Sequence, residues 1–239
     1  MTAAQRSRVV GLIGGMGPAA TVDLMQRVVA RCAAGDDQDH VHLIVDQNPK
    51  VPSRVEHLIA GTGEDPTAAL VRSACRLRDA GAEALAIACN TAHHYAPAVR
   101  TAVALPLLDM IALTAAAAAR LAPGGRIGVA ASTAVHRTAL YELALAQVGC
   151  TTVIPQDQDA LMGVIAQVKR GEVTSVPAHR FAGLAASLAA DCDVLVVACT
   201  ELSVIAGTVR VAVPVLDAAD VLADAIIDFA GARRRRAAD

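Results

Sequence analysis

Residues 83–91 read Glu-Ala-Leu-Ala-Ile-Ala-Cys89-Asn90-Thr91, and residues 193–201 read Asp-Val-Leu-Val-Val-Ala-Cys199-Thr200-Glu201. Each is a short apolar run that ends in a thiol followed by small hydrogen-bonding side chains. A continuous apolar run of this length, bounded by polar residues, fits a strand buried on both faces of a parallel sheet. The echo continues downstream, where Leu105-Pro106-Leu107-Leu108-Asp109 is answered by Val213-Pro214-Val215-Leu216-Asp217. The second cysteine lies 110 residues after the first, so two halves of similar build each offer one thiol.

Around these runs strands and helices alternate. Arg8 to Ile13 is a β-branched run that stops at Gly14-Gly15-Met16-Gly17-Pro18, and a helical pattern follows from Ala20. Pro18 suits a first helical turn, where its missing N–H is not needed. The next strand, Val41 to Asp46, leads into the two-proline stretch Asn48 to Arg54, and helices are predicted from Asp65 to Asp79 and, interrupted near Pro97, from Ala92 to Arg100. The second half repeats the order: a strand over 126–131 ending at Ser132-Thr133, a single helix over 135–148, a strand over 151–155, helices over 159–170 and 176–190, the second cysteine strand, and a last helix over 218–230. This predicts an α/β protein of two similar doubly wound domains, each a parallel sheet flanked by helices, related by a pseudo-twofold axis. In such sheets ligands bind beyond the carboxyl ends of the strands, where the glycine turn, Arg54, Cys89 and Cys199 all fall.

Composition narrows the function. Hydrophobic residues are 54% of the 239-residue chain but aromatics only 2%, which suits closely packed α/β cores and disfavours aromatic binding platforms. The net charge of −2 gives no field that would recruit nucleic acid or a membrane. The basic run Arg233 to Arg236 reads as a solvated tail beside a helix C-terminus. No apolar segment reaches the ~20 residues of a membrane helix, and Met1 to Arg8 lacks the core of a signal peptide. The six cysteines, Cys32, Cys75, Cys89, Cys150, Cys192 and Cys199, are therefore expected as reduced thiols of a cytoplasmic protein.

A thiol between a strand and a helix sits near backbone amides that lower its pKa, and can then act as base when ionised and acid when protonated. Moving a proton from one face of a carbon to the other needs both roles, one on each side. A symmetric cysteine pair is the arrangement expected of a racemase or epimerase working without a cofactor. Asn90, Thr91 and Thr200 could hold an α-carboxylate and stabilise the charge that develops as the α-carbon loses its proton; Asn90 and Thr91 could equally cap the following helix. His93 and Glu201 are possible supporting groups, each with an alternative structural reading, and His136 is similarly ambiguous.

Taken together, these residues resemble the aspartate/glutamate racemase family, in particular its aspartate racemase branch. The resemblance rests on Gly14 to Thr21, on Asn48-Pro49 with Pro52-Ser53-Arg54, on Ala88 to His93, on Val168-Lys169-Arg170-Gly171, and on Cys199-Thr200-Glu201-Leu202. It implies a cofactor-independent, two-thiol racemisation of an acidic amino acid, aspartate first and glutamate second, in a protein that pairs as a homodimer, as members often do. It implies Cys89 and Cys199 as the acid/base pair, and Met16, Gly17, Arg54, Asn90, Thr91, Ser132, Lys169 and Thr200 as substrate contacts, with Arg54 and Lys169 receiving the distal carboxylate. It further implies that the last helix returns to the first domain, giving residues 1–105 with 214–239 as one domain and 106–213 as the other. Lys50 and Lys169 are the chain's only lysines, which independently disfavours a pyridoxal phosphate Schiff base. Two departures stand out: Ser132-Thr133-Ala134-Val135 lacks the Gly-Thr usual at that turn, and Ala198 precedes Cys199 where glycine is usual.

Three rival readings are defined by the same residues. Gly15-Met16-Gly17-Pro18-Ala19-Ala20 with Asp46 fits a relaxed dinucleotide-binding pattern, an idle amino-acid-binding or regulatory homologue would keep the pocket without the chemistry, and Cys89, His93 and Cys199 could in principle meet at a metal, though without a second matched ligand pair.

Overall fold

The computed structural model describes residues 7–235. The first half contains β1 (Val10–Gly14), α1 (Pro18–Arg31), β2 (Leu43–Gln47), α2 (Thr67–Asp79), β3 (Ala84–Ile87), α3 (Ala96–Ala102), β4 (Leu107–Leu108) and α4 (Met110–Leu121). The second contains β5 (Arg126–Ala130), α5 (Thr133–Arg137), α6 (Leu140–Gln147), β6 (Thr151–Val153), α7 (Gln158–Lys169), α8 (Ser175–Ala189), β7 (Val194–Val197), α9 (Thr200–Ile205), β8 (Val215–Asp217) and α10 (Ala218–Ala230).

Among the described residues eight strands form two four-stranded parallel sheets with the same strand order, β2-β1-β3-β4 and β6-β5-β7-β8. Every residue of β1, β3 and β7 is buried, because helices cover both faces of each sheet. Ile13 pairs with Ile87 in the first sheet and Ala130 with Val197 in the second. These pairs place the two cysteines at equivalent positions, two residues beyond the end of each register.

Helices α4 and α10 bind the halves together. Although α4 follows a strand of the first sheet, its Ile111, Ala115 and Ala118 pack with Ile127, Val129, Val194 and Val196 of the second. Conversely, α10 follows a strand of the second sheet, yet Leu222, Ile226 and Ile227 pack with Val10, Leu12 and Leu24 of the first half. Sheet membership puts Leu107–Leu108 with the first sheet and Val215–Asp217 with the second. Each sheet thus runs a few residues past the boundaries expected at 105/106 and 213/214, because the strand that closes a sheet comes before the helix that leaves it.

Local differences from the sequence reading have identifiable causes. The expected helix over 135–148 is two helices, broken at Ala139, which has φ +52°. The break follows Thr138, whose hydroxyl donates to Ala134 O at 2.7 Å and Val135 O at 3.1 Å and so occupies the end of α5. Beyond the prolines at 49 and 52 the chain winds into one π-helical turn, Glu56–Ala60, ended by Gly61 at φ +65°. A 3-10 turn, Thr91–Tyr95, replaces the start of the helix expected from Ala92.

The basic run is not a free tail over its described part. Ala33 N–H donates to Arg233 O at 2.8 Å and Arg235 N–H to Arg31 O at 2.6 Å, while Arg234 pairs with Asp224 and Asp228; Arg236 lies outside the described residues. All six cysteines are free. Among the described residues no helix is long and apolar enough to cross a membrane.

Candidate active site

The turn after β1 is shaped by two close approaches. A Cβ on Gly15, at φ +88°, would stand 2.3 Å from the Asn48 backbone carbon, so only glycine fits. Buried Thr21 braces the same turn: its Oγ1 accepts from Gly15 N–H at 2.9 Å and donates to Gly17 O at 3.2 Å.

The cysteine turns are built alike. Ala88 N–H donates to Ile13 O and Ala198 N–H to Ala130 O, each at 2.9 Å, fixing the residue before each thiol. Four residues after each cysteine a side chain ties the turn to the neighbouring strand end. His93 Nδ1 meets Cys89 O at 2.9 Å while its Nε2 accepts from Met110 N–H at 3.2 Å. Ser203 Oγ reaches Cys199 O at 3.3 Å and Asp217 Oδ1 at 2.6 Å. Because Nε2 must accept, Nδ1 carries the proton and neither imidazole nitrogen is left for a substrate. Burial holds the His93 pKa below its ordinary value.

The two turns face one cavity of about 30 Å³, walled by Met16, Ser53, Arg54, Val55, Cys89, Thr91, Ser132, Ile165, Lys169, Cys199 and Glu201. That is room for a water or two. Both thiols therefore reach the same space, one from each half. Of the residues singled out in the sequence, Gly17, Asn90, Thr200 and His93 are not among the walls. Gly17 lies next to the site: a Cβ there would be 3.7 Å from Glu201 Oε1.

Three hydrogen bonds cross between the halves beside the cavity. Thr91 Oγ1 and Ser132 Oγ are 3.1 Å apart, Thr200 Oγ1 donates to Ala88 O at 3.4 Å, and the buried Tyr141 hydroxyl donates to Asn90 Oδ1 at 2.7 Å. Ala134 and Val135, the departures from the usual Gly-Thr, are fully buried, and the hydroxyl at the cavity from this turn is Ser132. Sequence reasoning missed Ser53, Val55 and Ile165; Ser53 and Val55 flank Arg54, and Ile165 lies one helical turn before Lys169 on α7, so chain spacing alone could have found them.

Charge is unevenly distributed. Arg54 is half-buried, with Nη1 donating to Pro52 O at 3.0 Å and Nη2 to Met16 O at 3.3 Å, while Nε is buried without a partner among the described residues. Lys169 is exposed and lowers the Cys199 pKa, but burial and the Glu201 carboxylate push the thiol the other way, well above its ordinary range. The Cys199 thiol donates to Glu201 Oε2 at 3.1 Å. The expected lowering of this pKa by a helix terminus is overturned: α9 has six residues, a short dipole against burial of the thiol and a carboxylate.

The rival readings find less support here. Asp46, needed for a dinucleotide ribose, is paired with Arg76. No group of three or more His, Cys, Asp or Glu is placed to hold a metal among the described residues. His136 pairs with Glu142 at 2.9 Å. A larger recess of about 200 Å³ lies between residues 38–40 and 231–233, and it contains none of the motif residues.

Residues 13–226 match the family model described as Asp/Glu/Hydantoin racemase. The chain is 32% identical to the aspartate racemase of Picrophilus torridus, covering 95% of this chain and 96% of that one with a TM-score of 0.86. It is 24% identical over 225 residues to the broad specificity amino-acid racemase RacX of Bacillus subtilis (strain 168), covering 92% of this chain and 96% of that protein. An aspartate racemase homologue from Pyrococcus horikoshii OT3 has the same fold at 19% identity and a TM-score of 0.71, with 94% of this chain and 99% of that one covered. The matched length, the paired sheets and the paired thiols lead to one conclusion: this chain belongs to the Asp/Glu/Hydantoin racemase family and is an amino-acid racemase of that family.

Proposed function

We propose that this enzyme interconverts the L and D forms of an acidic amino acid, aspartate foremost and glutamate next, by proton transfer between Cys89 and Cys199. The observation that carries the reading is that each half supplies one thiol to the walls of a single cavity. One cysteine, as thiolate, takes the α-hydrogen as a proton; its S–H bond forms as the C–H bond breaks. The other, as thiol, delivers its proton to the opposite face of the carbanion. The two sulfurs then hold exchanged protonation states, and the reverse reaction runs from there.

The negative charge passing through the α-carboxylate needs donors aimed at it. Thr91, Ser132 and Asn90, with the backbone N–H of Thr200, are those donors in this proposal, and the turn at Met16 and Gly17 borders the site beside Glu201. Arg54 and Lys169 are the cationic groups at the cavity and receive the side-chain carboxylate; the unpartnered Nε of Arg54 and the second N–H of its Nη2 are donors still open to it. His93 supports the Cys89 turn rather than the substrate, and Glu201 acts through Cys199. A cavity of about 30 Å³ is smaller than an amino acid, so the halves part to admit one. We assign the two sheets to two domains on this basis, with α10 returning to the first, and place the protein in the cytoplasm as a homodimer.

The test is proton exchange. Purified enzyme is incubated with L- and D-aspartate and L- and D-glutamate in deuterated water, and loss of the α-hydrogen signal is followed by NMR. Because RacX is a broad-specificity racemase, neutral and basic amino acids are included. Exchange and interconversion of an acidic amino acid support the reading; faster turnover of neutral or basic ones reassigns the substrate, and no exchange with any of them ends it.

A further inference from the structure

We propose that Tyr141 is a positioning residue for the Asn90 amide, holding it across the junction between the halves so that it offers only N–H donors to a substrate. This deepens the racemase reading and rests on it, since that reading puts Asn90 against the α-carboxylate.

Tyr141 is fully buried on α6 of the second half, and its hydroxyl donates to Asn90 Oδ1 of the first half at 2.7 Å. Burial raises the Tyr141 pKa, so the phenol keeps its proton and remains the donor of this bond. A side-chain amide has one acceptor end and one donor end. With Oδ1 occupied, the donor end is fixed in direction as well as identity. Asn90 is 3% exposed, and its Nδ2 has no partner among the described residues. A buried donor without a partner is unfavourable, and an acceptor arriving beside the thiols relieves it. Asn90 stands in the chain between Cys89 and Thr91, both walls of the cavity.

An amide locked in this sense accepts a carboxylate and rejects an ammonium group. It therefore sets which way round an amino acid lies between the two sulfurs. Without the phenol the amide can turn over and present Oδ1 to the ammonium group, and the substrate loses its fixed polarity. Since the tyrosine comes from the opposite half, the amide is set only when the halves are together.

The experiment compares wild type with Tyr141→Phe, which keeps the ring and removes the O–H. Three quantities are measured: KM and kcat for aspartate, inhibition by the α-amide of aspartate relative to aspartate itself, and the 15N–1H resonances of the Asn90 side chain, identified by their loss in Asn90→Asp. The expected result is a KM raised on the order of tenfold with a much smaller change in kcat, weaker discrimination against the α-amide, and shifted or broadened Asn90 resonances. Unchanged KM and unchanged discrimination overturn the proposal, as do Asn90 resonances that stay where they were.

If Tyr141→Phe does not fold, Asn90→Asp carries the test. It keeps an oxygen for the tyrosine and removes the donor, so aspartate binding by calorimetry should be lost, and retained binding overturns the proposal. Failure of the racemase reading itself appears separately, as wild-type enzyme that exchanges no α-hydrogen. The Asn90 resonances test the hold of Tyr141 in either case.

Discussion

The thiol of Cys199 donates to Glu201 Oε2 at 3.1 Å, whereas the residue two places after Cys89 is Thr91, which meets Ser132 instead. The two turns share the strand-end hydrogen bond before the cysteine and differ in the charge beside the sulfur. Burial first, then the Glu201 carboxylate, pushes the Cys199 pKa up. Cys199 is accordingly held as the thiol.

Glu201→Gln removes the negative charge and should lower the Cys199 pKa. With Cys199 as base, activity rises with pH through this pKa; with Cys199 as acid, activity falls through it. Both limbs should therefore move to lower pH, by on the order of one unit. The measurement is kcat/KM against pH for each enantiomer, and limbs that stay in place would assign Glu201 a purely structural role.

Cys89→Ser and Cys199→Ser should each reduce racemisation by about 10²–10⁴-fold, the range for loss of a positioned acid or base. A serine hydroxyl is too weak an acid to replace a thiol here, but the remaining cysteine can still exchange the proton on its own face. Each variant should thus retain deuterium exchange for one enantiomer, and the two variants for opposite enantiomers. Exchange of the same enantiomer by both would put the thiols on one face.

Both cysteine strands and the last helix were legible in the sequence because buried parallel strands and a capped amphipathic helix leave strong local patterns. The glycine turn was legible for a similar reason: Gly15 answers a backbone contact that no other residue permits. What stayed hidden depends on particular contacts that leave no repeat in the sequence. The imidazole of His93 carried both a chemical and a structural reading until Met110 N–H claimed its second nitrogen, and the fork of Arg54 looked open until carbonyls of Pro52 and Met16 each took an N–H of it. Val55 and Ile165 wall the cavity, yet in a chain this aliphatic they read as core. The helix break at Ala139 turns on the Thr138 hydroxyl, a contact with no periodicity to betray it.

His93 makes stability pH-dependent in a defined window. Burial lowers its pKa in the folded protein, while in the unfolded chain it returns to about 6.5. Below that value the unfolded state binds a proton the folded state refuses, so stability is complete above about pH 6.5 and falls on acidification, by up to about 1.4 kcal/mol per pH unit for this group. Asp109, whose folded pKa is lowered with His93 and Arg100 as partners, loses its contribution only below its unfolded value of about 3.9. Urea midpoints at pH 7.5 and pH 5 should differ in wild type, and the difference should shrink in His93→Gln. That variant should also be less stable at pH 7.5, by about 1–3 kcal/mol if the Met110 amide is left unpaired.

Arg27 should matter more than its distance from the thiols suggests. It lies on α1, which begins at the glycine turn, and reaches Asp23 at 2.6 Å, Asp217 at 3.0 Å, Asp220 at 2.7 Å and the Ser203 carbonyl at 2.6 Å. Ser203 belongs to α9, whose first residue directly follows Cys199, so one guanidinium links the helix that leaves the glycine turn to the helix that leaves the second cysteine. Burial pushes the Asp217 carboxyl up, against the pull of Arg27, the Ser203 hydroxyl and the Ala219 amide. Arg27→Met keeps much of the side-chain volume but strands that carboxylate, a change that typically costs about 3–5 kcal/mol in a buried pair. Arg27→Met with Asp217→Asn should recover part of the loss, because the stranded charge is gone while the cap on α10 retains an oxygen acceptor. Denaturant unfolding of the two single variants and the double variant measures the coupling. Simple additivity would mean that the link between α1 and α9 rests on the Ser203 carbonyl and the other carboxylates rather than on Asp217.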